Sequence, residues 1–178
     1  MPLLVSDVHG RVMWPRPQFP SCSKQPATSQ EWIEIALINN MPDLALEEAE
    51  SQFFRLLDDA SCDHLVRLRL FSLPNLPRGD QARRYLYNHY FGINDLWNSR
   101  FDAAIVTGTE PRQSNLKQEP YWPALVDVLD WAEEETISAV FSCLAAHAVV
   151  LHADGICRRP LEEKRFGVLT SSALRSTL

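Results

Sequence analysis

The segment AVFSCLAAHAVV, residues 139–150, joins an apolar run directly to a sequence typical of a helix. The run through Phe141 predicts a strand, and the residues from Leu144 onward predict the first turns of a helix. Cys143 lies in the turn between them. In α/β proteins, ligands bind beyond the carboxyl ends of parallel strands, where such turns lie. Two interpretations of Cys143 follow: a nucleophile in a site of this kind, or a small buried side chain.

The same alternation of strand and helix continues along most of the chain. Strand patterns are WIEIALINN, HLVRLRLFSL, FDAAIVTG and ISAVFSC, the last of which predicts a buried strand. Helix patterns are ALEEAESQFFRLLDDA, ARRYLYNHYFGINDLWNSR with a loop around Gly92, YWPALVDVLDWAEEE, and LAAHAVVLHADGI ending at Gly155. FDAAIVTG is typical of a strand that is buried on both faces of a parallel sheet. We therefore predict an α/β fold with a doubly wound, mostly parallel sheet.

The domain boundaries follow from proline content. Residues 1–30 contain several prolines, which exclude helix over most of this length and predict an extended Pro-rich arm. Residues 31–178 then form one α/β domain, since the chain has 178 residues and enough apolar sequence for one core.

Composition excludes several classes of function. The formal net charge is -6 and no cluster of Lys and Arg is present, so we expect no nucleic-acid partner. The longest uncharged stretch, residues 136–151, is too short to span a bilayer, and the N-terminus lacks the order of a secretory signal, so we expect a cytoplasmic protein without a membrane partner. The four cysteines form no C-x-x-C pair and no zinc spacing. We expect free thiols, no metal and no bound cofactor.

The turn at Cys143 has features that nucleophilic catalysis needs. Backbone N–H groups at the start of a helix favour negative charge, so the N–H of Leu144 could stabilise an oxyanion beside the thiol. His147 follows one helical turn later, but its position on the helix flank favours a packing role over that of a base. In IVTGTEPRQ, Gly108 ends a strand and the next residues bring Glu110 and Arg112 to the same rim. This loop either contacts a substrate or is simply solvated.

An ordered set of segments carries a resemblance to a known family. The segments are IALINNMP, ESQFFRLL, FDAAIVTG, YWPALVDVLDWA, SCLAAHA and DGICRRPLEEKRFGVL, between about residues 31 and 169. Together they resemble the homoserine O-acyltransferases, that is, the homoserine O-succinyltransferases of methionine biosynthesis, a branch of the class I glutamine amidotransferase-like, flavodoxin-like fold. The resemblance implies a transferase that moves an acyl group from acyl-CoA, either succinyl-CoA or acetyl-CoA, to the hydroxyl of homoserine or a similar amino acid. It also implies small-molecule substrates and a homodimer.

The resemblance implies roles for individual residues. The acyl-accepting cysteine of the family lies in the segment that SCLAAHA matches, which implies Cys143 as nucleophile. A substrate-contacting lysine in the segment EEKRFGVL corresponds to Lys164, whose ammonium could hold a carboxylate. Arg112 falls at the loop position where Gly goes with succinyl-CoA and Glu with acetyl-CoA, which implies a role in choosing the acyl group. Independently of the resemblance, the flexible turn at Gly108 could hold an acyl or amino group, so we expect Gly108 to contact the substrate.

The sequence also departs from the family pattern. Leu144 and His147 replace residues that the family commonly has at the helix start, and lysines after Met-Pro are missing. None of the 178 residues matches the His-Pro-Glu segment that holds the family's catalytic His and Glu. We therefore expect a C-terminally incomplete chain that acylates slowly and releases little product. A non-catalytic binding module and a glutamine amidotransferase-like hydrolase are the alternatives.

Overall fold

A six-stranded sheet forms the centre of the protein, and the computed structural model describes residues 3–14, 32–62 and 64–159. The strands are β1 (Leu3–Ser6), β2 (Val12–Trp14), β3 (Trp32–Ile38), β4 (Leu65–Phe71), β5 (Ala103–Val106) and β6 (Ser138–Phe141). The α-helices of the described residues are α1 (Leu46–Ser61), α2 (Asp80–His89), α3 (Ile93–Trp97), α4 (Trp122–Glu135) and α5 (Leu144–Asp154). The strand order is β2-β1-β4-β3-β5-β6, and only the β1–β2 pair is antiparallel.

Helices cover both faces of the sheet because successive side chains of a strand point to opposite sides. On β3, Ile35 and Leu37 belong to an apolar cluster with Phe54 of α1. Ala36 and Ile38 belong to a second cluster, which includes Val128 of α4 and residues of α5. The predicted α/β fold with a doubly wound, mostly parallel sheet is therefore confirmed, and so are the strands and helices predicted from residue 32 onward. No helix of the described residues is long and apolar enough to cross a membrane.

Two expectations from the sequence need correction. Residues 3–14 do not lie outside the sheet as an arm: β1 pairs in parallel with β4, and Val5 is fully buried. This stretch has no proline, and its alternating Leu3 and Val5 supply a buried face. The remaining part of the predicted arm, residues 15–30, lies outside the described residues. The prediction that β6 is buried is wrong, since it occupies an edge of the described sheet and Val140 is 57% exposed.

A buried carboxyl group joins α1 to α2 and the residue that follows it. Glu50 is 4% exposed, and its two oxygens accept hydrogen bonds from Tyr85 Oη at 2.7 Å and Tyr90 Oη at 2.6 Å. Burial raises the pKa of the Glu50 carboxyl above its ordinary value of 4.5, while the two tyrosine hydrogen bonds offset part of this effect. Burial and the neighbouring Glu50 charge hold the pKa of Tyr90 well above its ordinary range. In both groups, burial shifts the equilibrium toward the neutral form.

We predict that Glu50 makes folding stability depend on pH in a recognisable direction. Because its pKa is raised on folding, the folded chain binds this proton more tightly, and the stabilisation is complete below about pH 4.5 and lost as pH rises through the folded pKa. The free energy of unfolding of the native chain, relative to Glu50→Gln, should fall in urea titrations as the pH rises above about 4.5 and through the raised pKa. Glu48→Gln, on the exposed side of α1, is the control and should show no such trend. A difference between native chain and Glu50→Gln that stays constant with pH would contradict the prediction.

Candidate active site

The carboxyl ends of three parallel strands are tied together by Asn40 and Thr107. The backbone N–H of Asn40 donates to Thr107 Oγ1 at 2.7 Å, and its side-chain amide donates to the Thr107 carbonyl at 3.0 Å. The side-chain oxygen of Asn40 accepts from the N–H of Leu73, just beyond β4, at 3.0 Å. Asn40 is 1% exposed and Thr107 3%, so these hydrogen bonds are made away from water. These hydrogen bonds therefore hold the carboxyl ends of β3, β4 and β5 in a fixed arrangement.

The neighbouring Asn39 directs the chain that leaves β3. Its side-chain NH2 donates to Tyr90 Oη at 3.0 Å and to the carbonyl of Leu46 at 3.1 Å, and its side-chain oxygen accepts from the N–H of Met41 at 3.2 Å. The guanidinium of Arg78 donates to the carbonyl of Met41 from the other side. Sequence analysis missed this role of Asn39 and Asn40. The available signal was two consecutive amides directly after a buried strand.

Cys143 lies at a sharp turn between β6 and α5. Its φ is +56° and its ψ -122°, a conformation that costs a non-glycine residue about 1–3 kcal/mol. The N–H of Ser142 still donates to the carbonyl of Val106 at 2.9 Å, whereas the N–H of Ala146 already donates to the Cys143 carbonyl at 3.1 Å. The chain thus changes from sheet to helix within one residue. Cys143 is exposed, so its interpretation as a buried side chain is wrong.

Gly108 packs directly against the start of α5. A Cβ atom added at Gly108 would lie 2.4 Å from the backbone nitrogen of Leu144 and 2.6 Å from its Cβ, which is closer than real Cβ contacts. Only glycine permits this approach of the β5 end to the helix. The N–H of Leu144 belongs to the first turn of α5, where the helix itself provides no acceptor. The predicted oxyanion donor and the predicted glycine are therefore neighbours.

A cavity of about 480 Å³ opens beside Cys143. Much of its wall is apolar or small, and two side chains of opposite charge, Glu110 and Arg158, contribute to it. His147 also lines this cavity and is exposed, so its interpretation as a packing residue is wrong. The lining residues are Met41, Pro42, Gly108, Thr109, Glu110, Pro111, Cys143, Leu144, His147 and Arg158.

The remaining predicted site residues have different outcomes. Arg112 is exposed and is not among the residues that line the cavity beside Cys143. Its backbone N–H and that of Gln113 donate to one oxygen of the buried Glu119, at 2.5 Å and 2.6 Å, which fixes this loop. Lys164 lies outside the described residues. Within the described part of the chain, no group of three or more His, Cys, Asp or Glu residues could hold a metal ion.

Arg158 is a cavity residue that sequence analysis missed. It follows α5, past the left-handed Gly155, and is partly buried. One guanidinium nitrogen, Nη2, donates to the carbonyl of Gln113 at 3.2 Å, so Arg158 joins the segment after α5 to the loop after β5. The available signal was a pair of arginines directly after the predicted end of a helix.

We predict that Gly108→Ala disrupts the start of α5. The added methyl group would overlap the backbone of Leu144, and overpacking of this kind costs about 1–3 kcal/mol or more. The midpoint of urea unfolding should fall, and alkylation of Cys143 should change in rate because the turn is displaced. Gly92→Ala is the matched control, since its added Cβ would meet nothing closer than Asp95 Oδ2 at 3.4 Å. Equal stability of the two variants would show that the contact at Gly108 is not tight.

Comparison with known proteins assigns the chain to a family. The family model described as homoserine O-succinyltransferase matches residues 16–177. A homoserine O-succinyltransferase of Rhodopseudomonas palustris is 52% identical over 136 residues, which cover 76% of this chain and 41% of that protein. The one from Methylorubrum extorquens is 43% identical over 165 residues, covering 93% of this chain and 45% of that protein. The chain spans less than half the length of these relatives. It belongs to the homoserine O-succinyltransferase family.

Proposed function

We propose that this chain carries the nucleophile of a cysteine-dependent acyltransferase, with acyl-CoA as donor and homoserine or a similar amino acid as acceptor. One observation carries the proposal: an exposed thiol in a strained strand-to-helix turn faces a cavity whose wall includes a helix N-terminus. Family membership supports acyl transfer, since the two relatives compared above are homoserine O-succinyltransferases. Succinyl-CoA is the donor that their names favour over acetyl-CoA.

In the first half-reaction, the Cys143 thiolate attacks the thioester carbonyl of acyl-CoA. A tetrahedral intermediate forms, its carbon–sulfur bond to CoA breaks, and CoA leaves as a thiolate that takes up a proton. The acyl group remains on Cys143 as a new thioester, so no energy-rich bond is lost. The cavity wall from Met41, Pro42 and Pro111 provides an apolar surface for the acyl chain.

Charge develops on the carbonyl oxygen during this attack, and the start of α5 is placed to receive it. The N–H of Leu144 follows the nucleophile directly and carries the positive end of the helix dipole. A single donor of this kind is worth roughly 10²- to 10³-fold in rate. Gly108 contributes indirectly because any larger residue there would occupy the space beside this N–H.

The second half-reaction transfers the acyl group to the acceptor. The acceptor hydroxyl attacks the thioester, loses its proton to a base, and expels the Cys143 thiolate. General-base help is typically worth about 10²- to 10⁴-fold. His147 is the histidine that lines the cavity among the described residues, and it lies on the same helix as the nucleophile. We propose that His147 takes this proton, so His147→Gln should slow transfer from Cys143 to the acceptor.

The remaining proposals rest on the resemblance. Arg112 is proposed to influence the choice of acyl group from the loop after β5, and Lys164 to contact the substrate. The proposal extends to a homodimer in the cytoplasm, where acyl-CoA is available and thiols stay reduced. Glutamine hydrolysis without acylation by acyl-CoA would favour a glutamine amidotransferase-like hydrolase. Ligand binding with neither activity would favour a non-catalytic module.

We predict that Cys143 is alkylated faster than the other described thiols. Cys62, Cys143 and Cys157 are all exposed, so access does not separate them. Alkylation consumes a thiolate, and Cys143 lies at the N–H end of α5, whereas Cys62 lies at the carbonyl end of α1. Peptide mapping after brief exposure to iodoacetamide at neutral pH should find the label first on Cys143. A label that accumulates on Cys62 or Cys157 while Cys143 stays unmodified would argue against the proposal.

We also predict that succinyl-CoA acylates Cys143. Intact-mass measurement should detect the addition of one succinyl group, and hydroxylamine should remove it because thioesters are labile to that nucleophile. The modification should be absent from Cys143→Ser and unchanged in Cys157→Ser, since Cys157 is also exposed but is not among the residues that line the cavity beside Cys143. Acylation that persists in Cys143→Ser would place the nucleophile elsewhere.

A further inference from the structure

We propose that Arg158 binds a substrate carboxylate in the cavity beside Cys143. The inference rests on the proposed acyl transfer and assigns to it a residue that selects the substrate. The carboxylate comes either from the far end of a dicarboxylic acyl group or from the amino-acid acceptor. Arg158 and Cys143 line the same cavity. Among the described residues of its wall, Arg158 is the arginine that can provide a positive charge.

The guanidinium of Arg158 is held in place but not neutralised. Its Nη2 is anchored by the carbonyl of Gln113 at 3.2 Å, and that loop is in turn fixed by Glu119. No ion pair joins Arg158 to an acidic side chain of the described residues. A guanidinium that forms no ion pair and is hydrogen-bonded to this loop has donors left for the planar, bidentate recognition of a carboxylate.

One donor of Arg158 also lacks a partner. The Nε atom is buried and makes no hydrogen bond within the described structure. An unsatisfied buried donor is destabilising, and a shift of the side chain that lets this N–H donate to a bound anion would remove that penalty. The orphaned donor and the missing counter-ion therefore point to the same ligand chemistry.

The surroundings of Arg158 allow it to act as a positive centre. Tyr121 is 2% exposed, and burial, followed by the nearby charge of Glu119, raises its pKa to about 12, whereas the charge of Arg158 acts in the opposite direction. The phenol therefore stays neutral and does not compensate Arg158. Glu110 lies in the same cavity wall but is exposed and forms no ion pair with Arg158. Water screens the attraction between Arg158 and the exposed Glu110 carboxylate more than it would screen the attraction between Arg158 and a ligand carboxylate inside the cavity.

The lining of the cavity agrees with a substrate that carries both an apolar segment and a negative charge. The wall residues Met41, Pro42 and Pro111 suit a short methylene chain, and Arg158 also lines a second cavity together with Ser114 and Asn115. A carbonyl at Cys143 and a carboxylate at Arg158 would satisfy both ends of such a molecule. Neutral acyl chains would leave the guanidinium unpaired.

The first test measures how the positive charge of Arg158 affects the alkylation of Cys143, and it requires no acyl transfer. Cys143 is alkylated with anionic iodoacetate and with neutral iodoacetamide, and the first rate is divided by the second. This alkylation ratio should fall by about 3- to 10-fold in Arg158→Gln and stay unchanged in Arg158→Lys. Arg159→Gln removes a neighbouring exposed arginine and is the matched control, with the ratio of the native chain. Thermal unfolding of each variant checks that the fold is intact. If Arg158→Gln unfolds, Arg158→Met also removes the charge, keeps a long side chain and preserves the test.

The second test identifies the source of the carboxylate. If it belongs to the acyl group, Arg158→Gln should lower the rate of Cys143 acylation by succinyl-CoA relative to pentanoyl-CoA about 10- to 100-fold. If it belongs to the acceptor, the variant should instead lose protection of Cys143 from iodoacetamide by homoserine, with 3-aminopropan-1-ol as the carboxylate-free control.

The outcomes separate this inference from the proposed function. Failure of every acyl-CoA to acylate Cys143 in the native chain would overturn acyl transfer, whereas the alkylation ratio would still decide the role of Arg158. The inference would be overturned if Arg158→Gln had the same alkylation ratio, the same preference for acyl donors and the same protection by homoserine as the native chain.

Discussion

The contact between Gly108 and the backbone of Leu144 is the constraint on which the rest of the site depends. It brings the end of β5 against the first turn of α5, at a distance that excludes any side chain at position 108. On one side of this contact, Thr107 is tied to Asn40 and thereby to the ends of β3 and β4. On the other side lies Cys143. The position of the thiol therefore follows from the packing of strand ends.

This arrangement explains how a strained residue persists in a stable fold. The turn at Cys143 costs about 1–3 kcal/mol, while its neighbours Leu144, Ala145 and Ala148 are buried in the cluster that includes Val106 and Val128. Burial of a single large aliphatic side chain is worth about 1.5–3 kcal/mol, so the helix is held well enough to offset the strain. The result is a thiol that is exposed to solvent while the residues that follow it are buried in the core.

Much of the fold could be predicted from the sequence because hydrophobic periodicity is local. FDAAIVTG, YWPALVDVLDWAEEE and LAAHAVVLHADGI form the strand and helices that their patterns predict. The order of Ser142, Cys143 and Leu144 after an apolar run also located the turn. Its exposure could not be deduced, since Cys is buried in most proteins and the positive φ depends on contacts with β5 and α5.

The remaining features depend on residues distant in the sequence. Residues 3–14 join the sheet because β1 pairs with β4, although these two strands are about 60 residues apart in the sequence. The exposure of β6 follows from its place at an edge, which periodicity does not reveal. Asn40 and Arg158 form hydrogen bonds with residues distant in the sequence, Thr107 and Gln113. Local sequence contains the residue types but not these partners.

The most direct test of the account is a crystal structure of the chain after exposure to succinyl-CoA. We expect a succinyl thioester on Sγ of Cys143, with φ of this residue still positive. Its carbonyl oxygen should lie within hydrogen-bond distance of the N–H of Leu144, beside Gly108. An unmodified Cys143 with the acyl group on another residue, or a Cys143 backbone in an ordinary region of φ, would contradict the account.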